Sequence, residues 1–286
     1  RILWFLKLSM ITSTQRNNQQ KLTDLNMEYL DLLPIWALFL GMVLVSLAAS
    51  EIGFRVGIRL QDRSSNPGDA RITGTVVGGM LGLVGFLMAF SIGITIGHHS
   101  ERKSMVIKEA NAVGVAWLRA GFLDEPDSLV LRKHLREYAE VRLEAANQVI
   151  DLPTALLRSE KIHEKIWIII ERNVKQGNDT DIMASLVHSV NELIDTHSLR
   201  IAAAVKRLPS VLGLVLILST ILSFSLVGVA SSADRKRDTV AIFLFSLVFT
   251  AVLTILFDLD RPREGMLTVS QTAMTDVLRR IEPFSQ

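Results

Sequence analysis

Four long stretches without a charged residue constrain this chain more than any other feature. Residues 32–50, 72–97, 208–233 and 239–257 contain no Asp, Glu, Lys, Arg or His. A helix needs about 20 residues to cross the roughly 30 Å hydrocarbon core of a bilayer, and each stretch is about that long. The pattern predicts an all-α integral membrane protein with four transmembrane helices, whose solvent is the lipid bilayer.

The charged middle of the chain separates the first two apolar stretches from the last two. Within it, apolar residues recur at helical spacing over 128–150, 160–174 and 180–205, with turn-forming residues between these runs. The predicted organisation is a disordered tail (1–31), transmembrane helices 1 and 2 (32–97), a cytosolic helical domain (98–207), transmembrane helices 3 and 4 (208–260) and a C-terminal cytosolic segment (261–286). In the tail we expect no signal peptide, and Met27 is a candidate native start.

The second transmembrane stretch has no evident stop signal. The residues that follow it, 98–103, contain neither Pro nor Gly, and apolar residues continue to Leu118. The sequence therefore predicts one helix that leaves the membrane and enters the helical domain, giving that domain four helices in all.

The orientation follows from counting Lys and Arg near the ends of the transmembrane helices, because cytoplasmic flanks are enriched in both. One side offers Arg102, Lys103, Lys108, Arg200, Lys206, Arg207, Arg261 and Arg263, and the other offers Arg59, Arg63, Arg71, Arg235, Lys236 and Arg237. This small excess predicts that the termini and the helical domain lie in the cytoplasm. The five charged residues at 234–238 leave only a tight hairpin between helices 3 and 4.

Composition excludes several functions. The chain has no Cys, so cysteine nucleophiles and thiolate metal sites are excluded, and a net charge of +2 shows no nucleic-acid footprint. No phosphate-binding glycine loop, zinc-protease motif or serine-hydrolase motif is present. We therefore expect no enzyme, no cofactor and no metal.

Two adjacent stripes mark the second transmembrane helix. One consists of small residues, and its glycines are Gly74, Gly78, Gly82, Gly85 and Gly93; the other is bulky and consists of Phe86, Phe90 and Ile94. Small stripes let helix backbones approach closely in lipid. In one interpretation the glycines pack this helix against the first and the bulky stripe meets lipid. In the other the helix lies nearest the axis of an oligomer, and the bulky stripe forms a hydrophobic neck that gates by dewetting.

Asp258 and Asp260 lie at the end of the last transmembrane helix, followed by Arg261. Carboxylates at a helix C-terminus oppose the macrodipole by about 0.3–1 kcal/mol each, so something should compensate them. Local pairing with Arg261 and Arg263 is favoured, and a divalent-cation site is the alternative.

Several short stretches together resemble a known family. They are residues 85–91 (GFLMAFS), 109–114 (EANAVG), 118–120 (LRA), 135–138 (LREY) and 260–262 (DRP), in this order. The chain resembles the mainly bacterial, bestrophin-like four-span proteins of unknown function over about residues 34–281. Bestrophins themselves, more distant relatives, are pentameric anion channels with a hydrophobic neck on the second membrane helix. The acidic Ca²⁺-binding run that bestrophins carry after the last span is missing here, and Arg263 replaces the Phe that usually follows the Pro.

The resemblance implies a homo-oligomer, a pentamer by analogy, that conducts inorganic ions, anions above all, across the bacterial inner membrane. Phe86, Phe90 and Ile94 would form its neck. Two alternatives stay open. One is a non-conducting scaffold or sensor that recruits a cytosolic partner, and the other is a membrane enzyme that uses Asp258 and Asp260 with a divalent metal.

Overall fold

The described residues form eight helices and no strand. The structure is a computed structural model that describes residues 33–61, 68–178, 180–232, 239–261 and 266–281. The tail and the 234–238 hairpin lie outside these residues. The helices are α1 (Ile35–Gln61), α2 (Gly68–Ala120), α3 (Asp127–Ala146), α4 (Leu152–Lys175), α5 (Asp181–Val205), α6 (Ser210–Ser231), α7 (Thr239–Asp260) and α8 (Thr272–Ile281).

Four helical segments are long and apolar enough to cross a membrane, which confirms the predicted fold class. They lie in α1, in α2, in the stretch that ends with α6, and in α7. The prediction that the second transmembrane helix continues beyond its apolar part is also confirmed, because α2 is a single helix of 53 residues. It ends at Ala120, where Gly121 follows and donates its N–H to the carbonyl of Leu118 at 3.2 Å.

The chain divides into two compact units. The membrane unit comprises Arg1–Gly97 and Arg207–Thr268, and the helical unit comprises His98–Lys206 and Val269–Gln286. α2 contributes residues to both.

In the membrane unit, α1 packs against α6 and α7. Glycines allow the backbones of α1 and α6 to touch. A Cβ added to Gly53 would lie 1.9 Å from the carbonyl oxygen of Ser225, and one added to Gly228 would lie 2.0 Å from that of Ser50. Small residues at a helix crossing permit such close approach. Because lipid provides no hydrophobic driving force for helix association, van der Waals contacts between the two backbones stabilise the crossing instead.

The helical unit has a continuous apolar core. The stripes that the sequence predicts on α3, α4 and α5 supply buried residues such as Leu135, Ile166 and Leu186. The helix starts follow local capping rules, since the Asp151 carboxylate accepts the N–H of Thr154 before α4 and the Thr180 hydroxyl accepts that of Met183 before α5.

The C-terminal segment, to which the sequence analysis assigned no helix, contains α8. Its residues Met274 and Ile281 are buried in the core of the helical unit. The segment is thus part of the packed helical unit.

Candidate functional site

One narrow face of α2 packs into the membrane unit. Val84 and Met88 belong to the membrane core, and Ser91 and Thr95 are buried on the same face. These residues follow one another at three- and four-residue steps, so they form one stripe along the helix. Leu87, Ile92 and Ile94 pack at the edges of this face, and most other positions from 74 to 97 are exposed with respect to the described part of the chain.

The bulky stripe divides between exposed and packed positions. Phe86 is 67% exposed and Phe90 is 57% exposed, whereas Ile94 is partly buried and packs against the membrane core. Both phenylalanines therefore project from the chain, and Ile94 lies at the edge of the packed face.

The glycines of the small stripe have open space in front of them. A Cβ added to Gly74, Gly78, Gly82, Gly85 or Gly93 would meet no described atom within 4 Å outside its own part of the helix. The glycines of α2 thus do not pack it against α1 within one chain. The close contacts of α1 run instead to α6, through Gly53 and Gly57, neither of which the sequence analysis singled out.

The two carboxylates at the end of α7 are buried and accept backbone N–H groups. Asp260 accepts the N–H of Leu208 at 2.6 Å, just before α6 begins. Asp258 accepts the N–H groups of Met266 and Leu267, each at 3.1 Å. These hydrogen bonds offset the unfavourable interaction of the two carboxylates with the macrodipole of α7, because the backbone N–H groups take the place of water.

Arg261, also predicted at this site, is buried, and its own N–H donates to the Asp258 carbonyl at 3.2 Å. Arg263 lies outside the described residues. No group of three or more His, Cys, Asp or Glu side chains that could hold a metal ion occurs in the part of the chain that the structure describes.

A buried polar cluster lies in the helical unit, centred on Glu109 of α2, which is 0% exposed. Tyr138 of α3 donates its hydroxyl to Glu109 Oε1 at 2.5 Å, and Arg200 of α5 donates to Oε2. Arg142 Nε lies 3.2 Å and His197 Nδ1 3.6 Å from Oε1. The carboxylate thereby connects α2 to α3 and α5.

The aromatic rings of this cluster pack around its polar atoms. His197 Nδ1 lies 2.9 Å from the Tyr138 hydroxyl. Because that hydroxyl donates to Glu109, it accepts from the protonated Nδ1 of His197. His163 of α4 completes the cluster, with its ring centroid 5.0 Å from that of Tyr138 and 4.9 Å from that of His197.

Burial and neighbouring charges shift the pKa values of three residues in this cluster. Burial by itself would raise the pKa of Glu109, but the close approach of His197, the charges of Arg142 and Arg200 and the Tyr138 hydrogen bond outweigh it and hold the pKa at about 2. Burial, reinforced by the charge of Glu109, raises the pKa of Tyr138 well above its usual value. Burial, together with His197, lowers the pKa of His163 to about 4. At neutral pH the cluster therefore holds an ionised carboxylate, a neutral phenol and a neutral His163.

Sequence comparison assigns the chain to a family. Residues 37–274 match the family model of the Bestrophin-like domain. The chain belongs to the bestrophin-like family. No curated protein matches it.

Solved structures share the fold of this bestrophin-like chain. A bestrophin homologue from Klebsiella pneumoniae carrying a point mutation superposes with a TM-score of 0.60 at 12% identity. Another structure of a bestrophin homologue from Klebsiella pneumoniae gives 0.56 at 14% identity, and a crystal structure described only as a membrane protein variant gives 0.61 at 12% identity. Each comparison covers 88% of this chain and 98% of the other chain. At these identities the likeness establishes the fold of a bestrophin-type membrane protein.

Two of the stretches that carried the family resemblance meet in the bestrophin-like fold. Glu109 opens the stretch at 109–114 and Tyr138 closes the one at 135–138, and a hydrogen bond of 2.5 Å joins their side chains. The sequence analysis quoted both stretches without assigning the residues a site. The sequence signal for a buried charged site was an acidic residue among apolar neighbours in a long helix. The structure shows that those neighbours, Ala110, Val113 and Trp117, are buried.

Proposed function

We propose that this bestrophin-like chain assembles into a homo-oligomeric ion channel, with the exposed face of α2 nearest the axis. The observation that carries the proposal is that this face has no partner within the described part of its own chain, although the opposite face of the helix is packed. An uncharged face of glycines flanked by phenylalanines suits close packing between copies and a narrow apolar passage.

In this proposal Phe86 and Phe90 form the constriction, with Ile94 at its border. The phenylalanines are one helical turn apart and both are exposed, so a ring of copies would present two successive apolar layers. Such layers obstruct ions by expelling water and open when the helices move apart. Anions are the proposed permeant ions because the family resemblance implies them, and α2 offers no carboxylate between positions 74 and 97.

The channel proposal is tested by reconstitution of the purified oligomer into planar bilayers. Phe86→Ala and Phe90→Ala should each raise the conductance, because a smaller side chain widens and wets the constriction. Phe243→Ala on α7 is the matched control, since this phenylalanine is also exposed but lies on another helix. The proposal fails if correctly assembled oligomers of the parent and both α2 variants conduct no ions, or if Phe243→Ala has the same effect as they do.

The proposed orientation places the helical unit and both termini in the cytoplasm, on the side with the Lys and Arg excess. The chain has no Cys, so single cysteines can be introduced without background labelling. Glu160→Cys in the helical unit should react with a membrane-impermeant maleimide in inverted inner-membrane vesicles only. Arg59→Cys, near the end of α1, should react in right-side-out vesicles only. The reverse pattern would require the opposite orientation.

A further inference from the structure

The buried cluster of the helical unit has an unbalanced charge. Arg142 and Arg200 both form an ion pair with Glu109, and neither pairs with any other carboxylate among the described residues. Even with both imidazoles of the cluster neutral, two guanidinium groups face one carboxylate, which leaves one positive charge in excess. A buried charge without a counter-charge is destabilising, so a cluster of this composition favours an additional anion.

The unused hydrogen-bond donors of the cluster lie mostly on Arg142. This residue is 5% exposed, and neither its Nε nor its Nη1 has a hydrogen-bond partner among the described residues. Its contact with Glu109, at 3.2 Å, is an ion pair without hydrogen-bond geometry. Arg200, in contrast, donates to both Glu109 and Gln271. The excess charge is therefore assigned to Arg142.

His163 provides a further unpartnered polar atom nearby. It is 9% exposed, and its Nε2 is buried without a hydrogen-bond partner among the described residues. Its ring packs against Tyr138, which lies one helical turn before Arg142 on α3, and the charge of Arg142 contributes to lowering the pKa of His163. A neutral imidazole can place its proton on Nε2, so His163, like Arg142, has an N–H group to offer an anion.

We propose that Arg142, with His163 beside it, binds a small inorganic anion such as chloride in the helical unit. The anion would balance the second guanidinium and accept the unused N–H groups. Since both side chains retain a small exposed fraction, the ion would enter from solvent by a modest rearrangement of these two side chains. This site is a resident structural ion site, separate from the proposed conduction pathway along α2.

The site is tested on the full chain in detergent by thermal unfolding in sodium chloride and in sodium gluconate of equal ionic strength. Chloride at about ten times its Kd should raise the unfolding midpoint by about 3–6 °C. Arg142→Met should abolish the difference between the two salts. Arg136→Met, which removes an arginine of α3 that pairs with Glu140, should retain it.

Equal midpoints of the parent protein in the two salts would overturn the proposal, as would an equal loss of chloride dependence in Arg136→Met. Crystals of the parent protein grown in bromide give a second test that does not depend on the folding of a variant. An anomalous peak beside the Arg142 guanidinium supports the site, and a water or no density at that position refutes it. The two proposals can fail independently. A protein that chloride stabilises but that never conducts ions would refute the channel proposal and leave the anion site in place.

Discussion

Replacement of Glu109 by Gln tests whether the buried cluster stabilises the helical unit through charge. The folded state holds the pKa of this carboxyl at about 2 against a usual 4.5. At roughly 1.4 kcal/mol per pKa unit, the difference corresponds to about 3 kcal/mol of preferential stabilisation of the charged form. Gln keeps the shape but is neutral, so Glu109→Gln should lower the free energy of unfolding by about 3 kcal/mol. The loss of one partner from a buried ion pair typically has this magnitude.

The measurement is denaturant unfolding of the full chain in detergent micelles at pH 7, followed by far-UV circular dichroism. Glu140→Gln is the control, because Glu140 forms an exposed pair with Arg136 on α3 and its removal should change stability by less than about 0.5 kcal/mol. The reasoning is refuted if both variants unfold at the same denaturant concentration.

The same pKa predicts a pH dependence. The folded pKa of Glu109 is depressed, so its contribution is complete above pH 4.5 and declines as the pH falls from 4.5 toward 2. In Glu109→Gln, the stability should change less over this interval than in the parent. An identical acid transition in both proteins would show that Glu109 does not contribute to it.

Two further predictions concern other buried groups. Gly53→Ala should destabilise the membrane unit by about 1–3 kcal/mol, because the new Cβ would lie 1.9 Å from the Ser225 carbonyl oxygen. In Gly41→Ala on the same helix, the new Cβ meets no described atom within 4 Å, so this variant should be neutral or slightly stabilising; equal unfolding midpoints for the two variants would contradict the close crossing. The depressed pKa of His163 means that the unfolded chain takes up a proton first, so stability attributable to this residue is lost as the pH falls from 6.5 to 4, by up to about 3 kcal/mol. His163→Gln should remove this dependence, whereas His188→Gln, at an exposed position, should leave it intact when unfolding is measured across that range.

Local sequence predicted every helix except α8. Apolar runs of membrane length predicted the transmembrane segments, and helical periodicity predicted α3, α4 and α5, because both signals depend only on residues near one another in the chain. The absence of Pro and Gly from residues 98–103 likewise predicted the continuation of α2. α8 was missed although it has the same signal: Ala273, Met274, Val277, Leu278 and Ile281 recur at helical spacing and pack in the core of the helical unit.

The role of the glycines could not be decided in the same way. A glycine permits close approach on any helix, but whether another backbone approaches depends on where the helices cross. α1 and α6 cross at Gly53 and Gly228, whereas a Cβ added to any glycine of the small stripe of α2 would meet no described atom within 4 Å outside its own part of the helix. The end of α7 shows a similar limit. The macrodipole argument predicted that Asp258 and Asp260 need compensation, but the donors include the N–H of Leu208, 52 positions away from Asp260.

By itself, the sequence determined the solvent of this protein and the number and length of its principal helices, because hydrophobicity and helical period are properties of contiguous residues. It also carried the family resemblance, which the family comparison confirmed over residues 37–274. Only the tertiary structure decided that Glu109 meets Tyr138, 29 positions away, and Arg200, 91 positions away. Such a cluster has no local pattern: its charges become interdependent only when packing brings them together and excludes the water that would otherwise screen them.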